Sequence, residues 1–148
     1  MRVRTSVTFR TERFNTTEVR PHFINPCCFG EDCAAWLAVA LRAARAGEVA
    51  GPWQEDWGWQ LRVTTLRASS LVSVGLIPEE TPEWHIRIDE RQPLLARLLG
   101  RRHESTLPAL VRAVDGALKS AAGVHDVRWH LRSEFDRGRS RGTPGPFD

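Results

Sequence analysis

Hydrophobic and polar positions alternate most regularly from residue 54 onward. In Q-E-D-W-G-W-Q-L-R-V, Trp57, Trp59, Leu61 and Val63 fall on one side, and Gly58, Gln60, Arg62 and Thr64 on the other. A period of two marks a strand with one buried face. The pattern returns later in the chain. Asp56-Trp57-Gly58-Trp59-Gln60-Leu61-Arg62 and Asp126-Val127-Arg128-Trp129-His130-Leu131-Arg132 share D-x-x-W-[QH]-L-R, each after a helical stretch ending in Gly. The pair reads either as an internal βαββ duplication or as coincidence between two amphipathic strands.

Residues 2–10 alternate in the same way, with Val3, Thr5, Val7 and Phe9 against Arg2, Arg4, Ser6, Thr8 and Arg10. Residues 11–29 have no period, carry Pro21 and Pro26, and read as a long irregular connection, a kind that is often functional or mobile. From Glu31 to Ala46 the apolar positions recur at helical spacing (Cys33, Trp36, Leu37, Ala40, Leu41, Ala44), with acids in the first turn and Gly47 placed to end the helix. Residues 48–55, with Gly51-Pro52, read as a turn. Strands follow over 56–66, over 71–76, where Val72, Val74 and Leu76 alternate with Leu71, Ser73 and Gly75, and over 83–89, where Trp84, Ile86 and Ile88 alternate with Glu83, His85, Arg87 and Asp89. Leu94, Leu95, Leu98 and Leu99 form an apolar patch on a short helical turn.

Thr106 is placed to cap a second long helix that tolerates Pro108 in its first turn and ends at Gly123. A last strand covers 124–132. The order β-α-β-β-β-α-β predicts an α+β fold, with two helices on one face of a mainly antiparallel five-stranded sheet. Residues 1–133 would form one domain. Residues 134–148, rich in Arg, Gly, Pro and Ser, would form a loosely ordered tail.

Composition changes this picture little. The chain has 148 residues, 41% hydrophobic and 26% charged, within the globular range. No apolar run reaches the roughly 20 residues that span a bilayer, and the first residues lack the apolar core of a secretion signal. Three cysteines form no disulfide framework, which suits a reducing cytoplasm. The formal charge is +3 and comes almost wholly from arginine. Its distribution therefore says more than its total.

Five tryptophans (Trp36, Trp57, Trp59, Trp84, Trp129) fall on predicted apolar faces and read first as core. The alternative is an aromatic-lined cavity between sheet and helices, with Trp53, Glu55, Asp56 and Trp57 at its mouth. Cys27, Cys28 and Cys33 lie close to His22, but adjacent cysteines point apart and no second C-x2-C knuckle completes a zinc tetrahedron, so no metal is expected. Cys28 precedes a helix N-terminus and is the thiol candidate, although Glu31 and Asp32 oppose thiolate formation there. The phosphate-loop, dinucleotide, zinc-protease and serine-hydrolase motifs are all missing from the sequence, and neither a catalytic residue nor a cofactor is expected.

The outward sheet positions are the most informative. Arg4, Arg62, His85, Arg87, His130 and Arg132 would project from one face and make it basic, which suits an acidic protein surface and, less well, nucleic acid. Strand aromatics all alternate to the other side, which weighs against base stacking.

Gly30-Glu31-Asp32 opening the first helix, and Glu55-Asp56-Trp57-Gly58-Trp59 opening a strand, carry a resemblance. With Val127-Arg128-Trp129-His130 and Phe135-Asp136 they make the chain similar to a group of small bacterial proteins with a G-E-D helix start and an E-D-aromatic-G-W strand. The resemblance reaches to about residue 140. It implies a bacterial cytoplasmic setting and carries over no activity and no site residue.

The sequence thus reads as a non-catalytic binding module, in first place an immunity- or inhibitor-like protein whose basic sheet face meets an acidic partner. A small-molecule binder with a Trp-lined pocket comes second, and a thiol-dependent enzyme using Cys28 third.

Overall fold

A computed structural model describes residues 2–26, 28–92, 94–100 and 105–148, apart from the side chains of Ala96 and Arg97. The elements in chain order are β1 (Ser6–Arg10), α1 (Glu31–Ala43), β2 (Glu48–Glu55), β3 (Gly58–Thr64), β4 (Ser69–Ile77), β5 (Glu83–Arg91), α2 (Leu94–Leu98), α3 (Leu107–Ser120), β6 (His125–His130) and α4 (Arg132–Asp136). The strands form one sheet in the order β2-β3-β4-β5-β1-β6, and every neighbouring pair is antiparallel. The α+β class is as the alternation predicts, with six strands in place of five.

The added strand is β2, where Gly51-Pro52 suggested a turn. Proline lacks the N–H that a central strand must donate, but an edge strand tolerates it. The β2–β3 register shifts between Ala50 and Trp53, a bulge that takes up Pro52. β1 is also shorter than the alternation of residues 2–10 suggests, although Val3 makes an isolated bridge to Phe147.

The inner sheet face is the core. Val7, Phe9, Leu61, Val63, Val72, Val74, Trp84, Ile86, Ile88 and Trp129 are buried there against Leu37 and Leu41 of α1 and Leu110, Val111, Val114 and Leu118 of α3. Each large side chain fully buried in this way contributes about 1.5–3 kcal/mol of transfer free energy. The indole N–H of Trp59 donates to the Cys28 carbonyl at 2.8 Å, and that of Trp129 to Asp115 Oδ1 at 2.8 Å. The two strands that carry the repeated motif hold different places. β3 has a neighbour on either side, and β6 lies at the end of the strand order.

Trp57 does not follow its alternation. It sits in the tight turn between β2 and β3 and is half exposed, because the chain reverses before the strand resumes at Gly58. Gly58 itself has a steric reason: a Cβ there would lie 2.3 Å from the Val74 carbonyl oxygen.

The long 11–30 connection packs over the end of the core. Phe14 stacks against Trp36 and Trp84, Phe23 leans on Trp59, and Gln54 donates to the Asn25 carbonyl at 2.7 Å. Thr106 does not cap α3 with its hydroxyl. Its N–H and Oγ1–H donate to Glu90 Oε2 at 2.8 and 2.9 Å, so a carboxylate from the end of β5 holds the helix start.

The segment expected as a loosely ordered tail makes specific contacts. Trp129 and Thr143 exchange backbone hydrogen bonds at 2.8 Å, the Arg4 N–H donates to the Pro146 carbonyl at 2.9 Å, and Arg4 pairs with Asp148 at 2.6 Å. Gly142 passes so close to the sheet that a Cβ there would lie 2.7 Å from the His130 ring. No helix among the described residues is long and apolar enough to cross a membrane.

Candidate functional site: the outer face of the sheet

The register sets outward side chains in rows across the strands. One row runs Trp53, Gln60, Ser73, Arg87, Ser6 and His130, one residue from each of the six strands. The next, toward the Gly75 end of β4, runs Gly75, His85, Thr8 and Arg128. A third includes Ala50, Arg62, Leu71 and Asp89. Helices α1 and α3 pack on the other face, and among the described residues the C-terminal segment crosses this one.

That crossing is made by α4 and the strand-like residues after it. The Phe135 ring lies 4.5 Å from the His85 ring and 4.9 Å from the His130 ring. Arg87 donates to Asp136 Oδ2 at 3.2 Å, and Arg132 pairs with both Asp89 and Asp136. His130 is buried, with Nε2 at 2.9 Å from Thr8 Oγ1 and Nδ1 at 2.8 Å from Ser140 Oγ. Burial pushes the His85 imidazole down to about 4, helped by the adjacent Arg87 charge. Burial, and then Arg128, lowers His130 as well. Both rings are therefore neutral near pH 7.

Beside α4 the face opens into a groove of about 680 Å³, within the roughly 300–1,000 Å³ of ligand pockets. Its floor is Gln60, Ser73 and Gly75. Trp57 lies at one side, and His85, Arg87, Asp89, Arg91 and Arg132 at the other. Ser73 and Gly75 on the floor are small, and the lining mixes apolar Leu71, Leu76 and Ile77 with donors, cations and two carboxylates, Asp89 and Glu90.

Of the six basic-face candidates, His85, Arg87 and Arg132 line this groove. Arg62 projects from the same face and lies over the Trp53 ring at 5.7 Å. Arg4 and His130 sit under the C-terminal segment, engaged by Asp148 and by Thr8 and Ser140. The face is thus less basic than its sequence suggests, because Asp89, Asp136, Asp148 and Glu83 each neutralise an arginine.

An aromatic-lined cavity was expected between sheet and helices, whereas the groove lies on the opposite face. Trp57 lines it, whereas Trp53 donates its indole N–H to Glu55 at 2.9 Å on the same strand. Asp56 offers its carbonyl to Asn25 and Cys28. Cys28 is buried with its thiol on that carbonyl at 3.3 Å, and burial pushes the Cys33 thiol well up, so Cys33 is not poised as a thiolate. Cys27 lies outside the described residues. No group of three or more His, Cys, Asp and Glu among the described residues could hold a metal ion.

Sequence reasoning missed the partners of this face. Phe135 and Asp136 belong to a polar stretch, and their one local signal is an isolated aromatic next to an acid. Comparison with known proteins adds no analogy: no family model matches the chain, and neither a curated protein nor a solved structure matches it. Geometry alone defines the class, an α+β domain with a packed helical side and a grooved sheet side.

Proposed function

We propose that this protein is a non-catalytic binding module that docks an acidic partner protein, immunity- or inhibitor-like, on the outer face of its sheet. The observation that carries this reading is the groove beside Arg87 and Arg132, at whose edge a carboxylate of the chain itself, Asp136, already sits on Arg87. Charged groups on such a face steer encounter and fix register more than they add affinity. Its test is a titration with a glutamate-rich decapeptide at low and high salt, followed by the fluorescence of Trp57. Binding that weakens with salt, and that falls about tenfold or more in an Arg62→Glu/Arg91→Glu variant of unchanged melting temperature, is the expected result. Equal binding by that variant would overturn the reading.

The groove volume also favours a second reading, a small anionic molecule in the same place. Such a ligand would raise the melting temperature in proportion to the logarithm of its concentration.

A further inference from the structure

α4 is a weak occupant of the face it covers. It is five residues long, has no buried residue, and is held by one stacked ring and by ion pairs at the surface. Exposed pairs of this kind contribute about 0–1 kcal/mol each.

Beneath and beside it Ser6 Oγ and His85 Nε2 are buried without a hydrogen-bond partner among the described residues, and so is Arg87 Nε, which has Asp89 Oδ2 at an ion-pair distance of 3.7 Å. Ser6, fully buried, lies directly opposite Arg87 on the neighbouring strand, and His85 is two residues from Arg87 on the same face. A buried polar group left unbonded costs about 1–3 kcal/mol. The segment therefore shields this cluster without satisfying it.

What the segment does supply is specific. Phe135 stacks on His85, and the next residue places its carboxylate on Arg87. The chain does the same again at its end, where Phe147 lies under the Arg112 guanidinium at 4.7 Å and the carboxylate of Asp148 pairs with Arg4 at 2.6 Å. Both Phe-Asp dipeptides dock as a ring beside a carboxylate on an arginine.

We infer that α4 is a self-docked stand-in, and that the partner presents an aromatic side chain next to a carboxylate, which replaces Phe135 and Asp136 and reaches the unbonded cluster beneath them. This rests on the acidic-partner reading and sharpens it from a charge to a two-point motif. A segment of the same chain competes at a high effective concentration, so a motif supplied in trans binds the intact protein below its intrinsic affinity.

The probe is an acetylated, amidated peptide that copies residues 131–138, added to the full-length protein and to its Phe135→Ala variant. The variant is expected to bind the peptide at least about tenfold more tightly than the unaltered protein. Replacing the peptide's Phe by Ala or its Asp by Asn should abolish that gain. If Phe135→Ala melts too low to be used, Asp136→Asn, nearly identical in volume, should show a gain of the same sign.

Equal binding by altered and unaltered protein would overturn the inference. A glutamate-rich peptide without a ring that bound as tightly as the Phe-Asp peptide would overturn the aromatic requirement and leave the acidic-partner reading standing. Failure of both peptides on both proteins would remove the two readings together.

Discussion

The rings of His85 and Phe135 lie 4.5 Å apart at 30°, and this contact joins the last helix to the middle of the sheet. His85 faces outward because the strand alternates around Trp84 and Ile86, and Phe135 covers it because α4 turns back over the sheet.

Burial of His85 makes stability depend on pH. The folded His85 is held at about 4, by burial first and then by Arg87, against an unfolded value near 6.5. A depressed histidine favours the unfolded chain once that chain takes up its proton. The contribution is intact above about pH 6.5, falls as pH drops from there toward 4, and levels off below, by at most about 1.4 kcal/mol per pH unit. Urea melts at pH 7.5 and 5.0 should show wild type losing more stability than His85→Gln.

Loosening α4 should expose the arginines that follow it. In Phe135→Ala, cleavage by trypsin after Arg137, Arg139 and Arg141 should be faster than in wild type, with global stability lower by only about 1 kcal/mol because the segment buries little. Peptide mapping over a digestion time course reads this directly. Unchanged cleavage would mean that the Thr143 and Pro146 backbone bonds hold the segment without the ring.

The buried indoles should differ in a predictable order. Trp59→Phe and Trp84→Phe remove the same atoms, but the Trp59 N–H bonds the Cys28 carbonyl, whereas the Trp84 N–H is buried without a partner among the described residues. Trp59→Phe should therefore be the more costly, by about 1 kcal/mol or more in chemical denaturation.

Thiol chemistry should be silent in the native state. Cys33 is buried, and its thiol is pushed up by burial and by Asp32. Iodoacetamide at pH 7 should leave Cys33 unmodified until the protein is unfolded, as mass spectrometry of the digest would show.

The core was legible in the sequence where alternation was strict. Trp84 and Trp129 each sit between polar neighbours, Trp59 between Gly58 and Gln60, and all three are buried on the inner face. β2 was hidden because Gly51-Pro52 is a local turn signal, while the pairing that makes it a strand comes from β3. The groove was half visible. His85, Arg87 and Arg132 were identifiable as outward-facing positions, but their ion partners Asp136 and Asp89 come together only through the long-range path of the last seventeen residues. Local periodicity carries no information about a segment that docks through a ring and a few carboxylates.

The proposed docking site is the grooved sheet face and not the helical side. It is tested by amide chemical-shift mapping of the full-length protein titrated with the Phe-Asp peptide that copies residues 131–138. Shifts are expected to gather at Gln60, Ser73, His85 and Arg87 and along α4, with Leu37 and Leu118 in the helices unmoved. Shifts centred on α1 and α3, or none at saturating peptide, would contradict it.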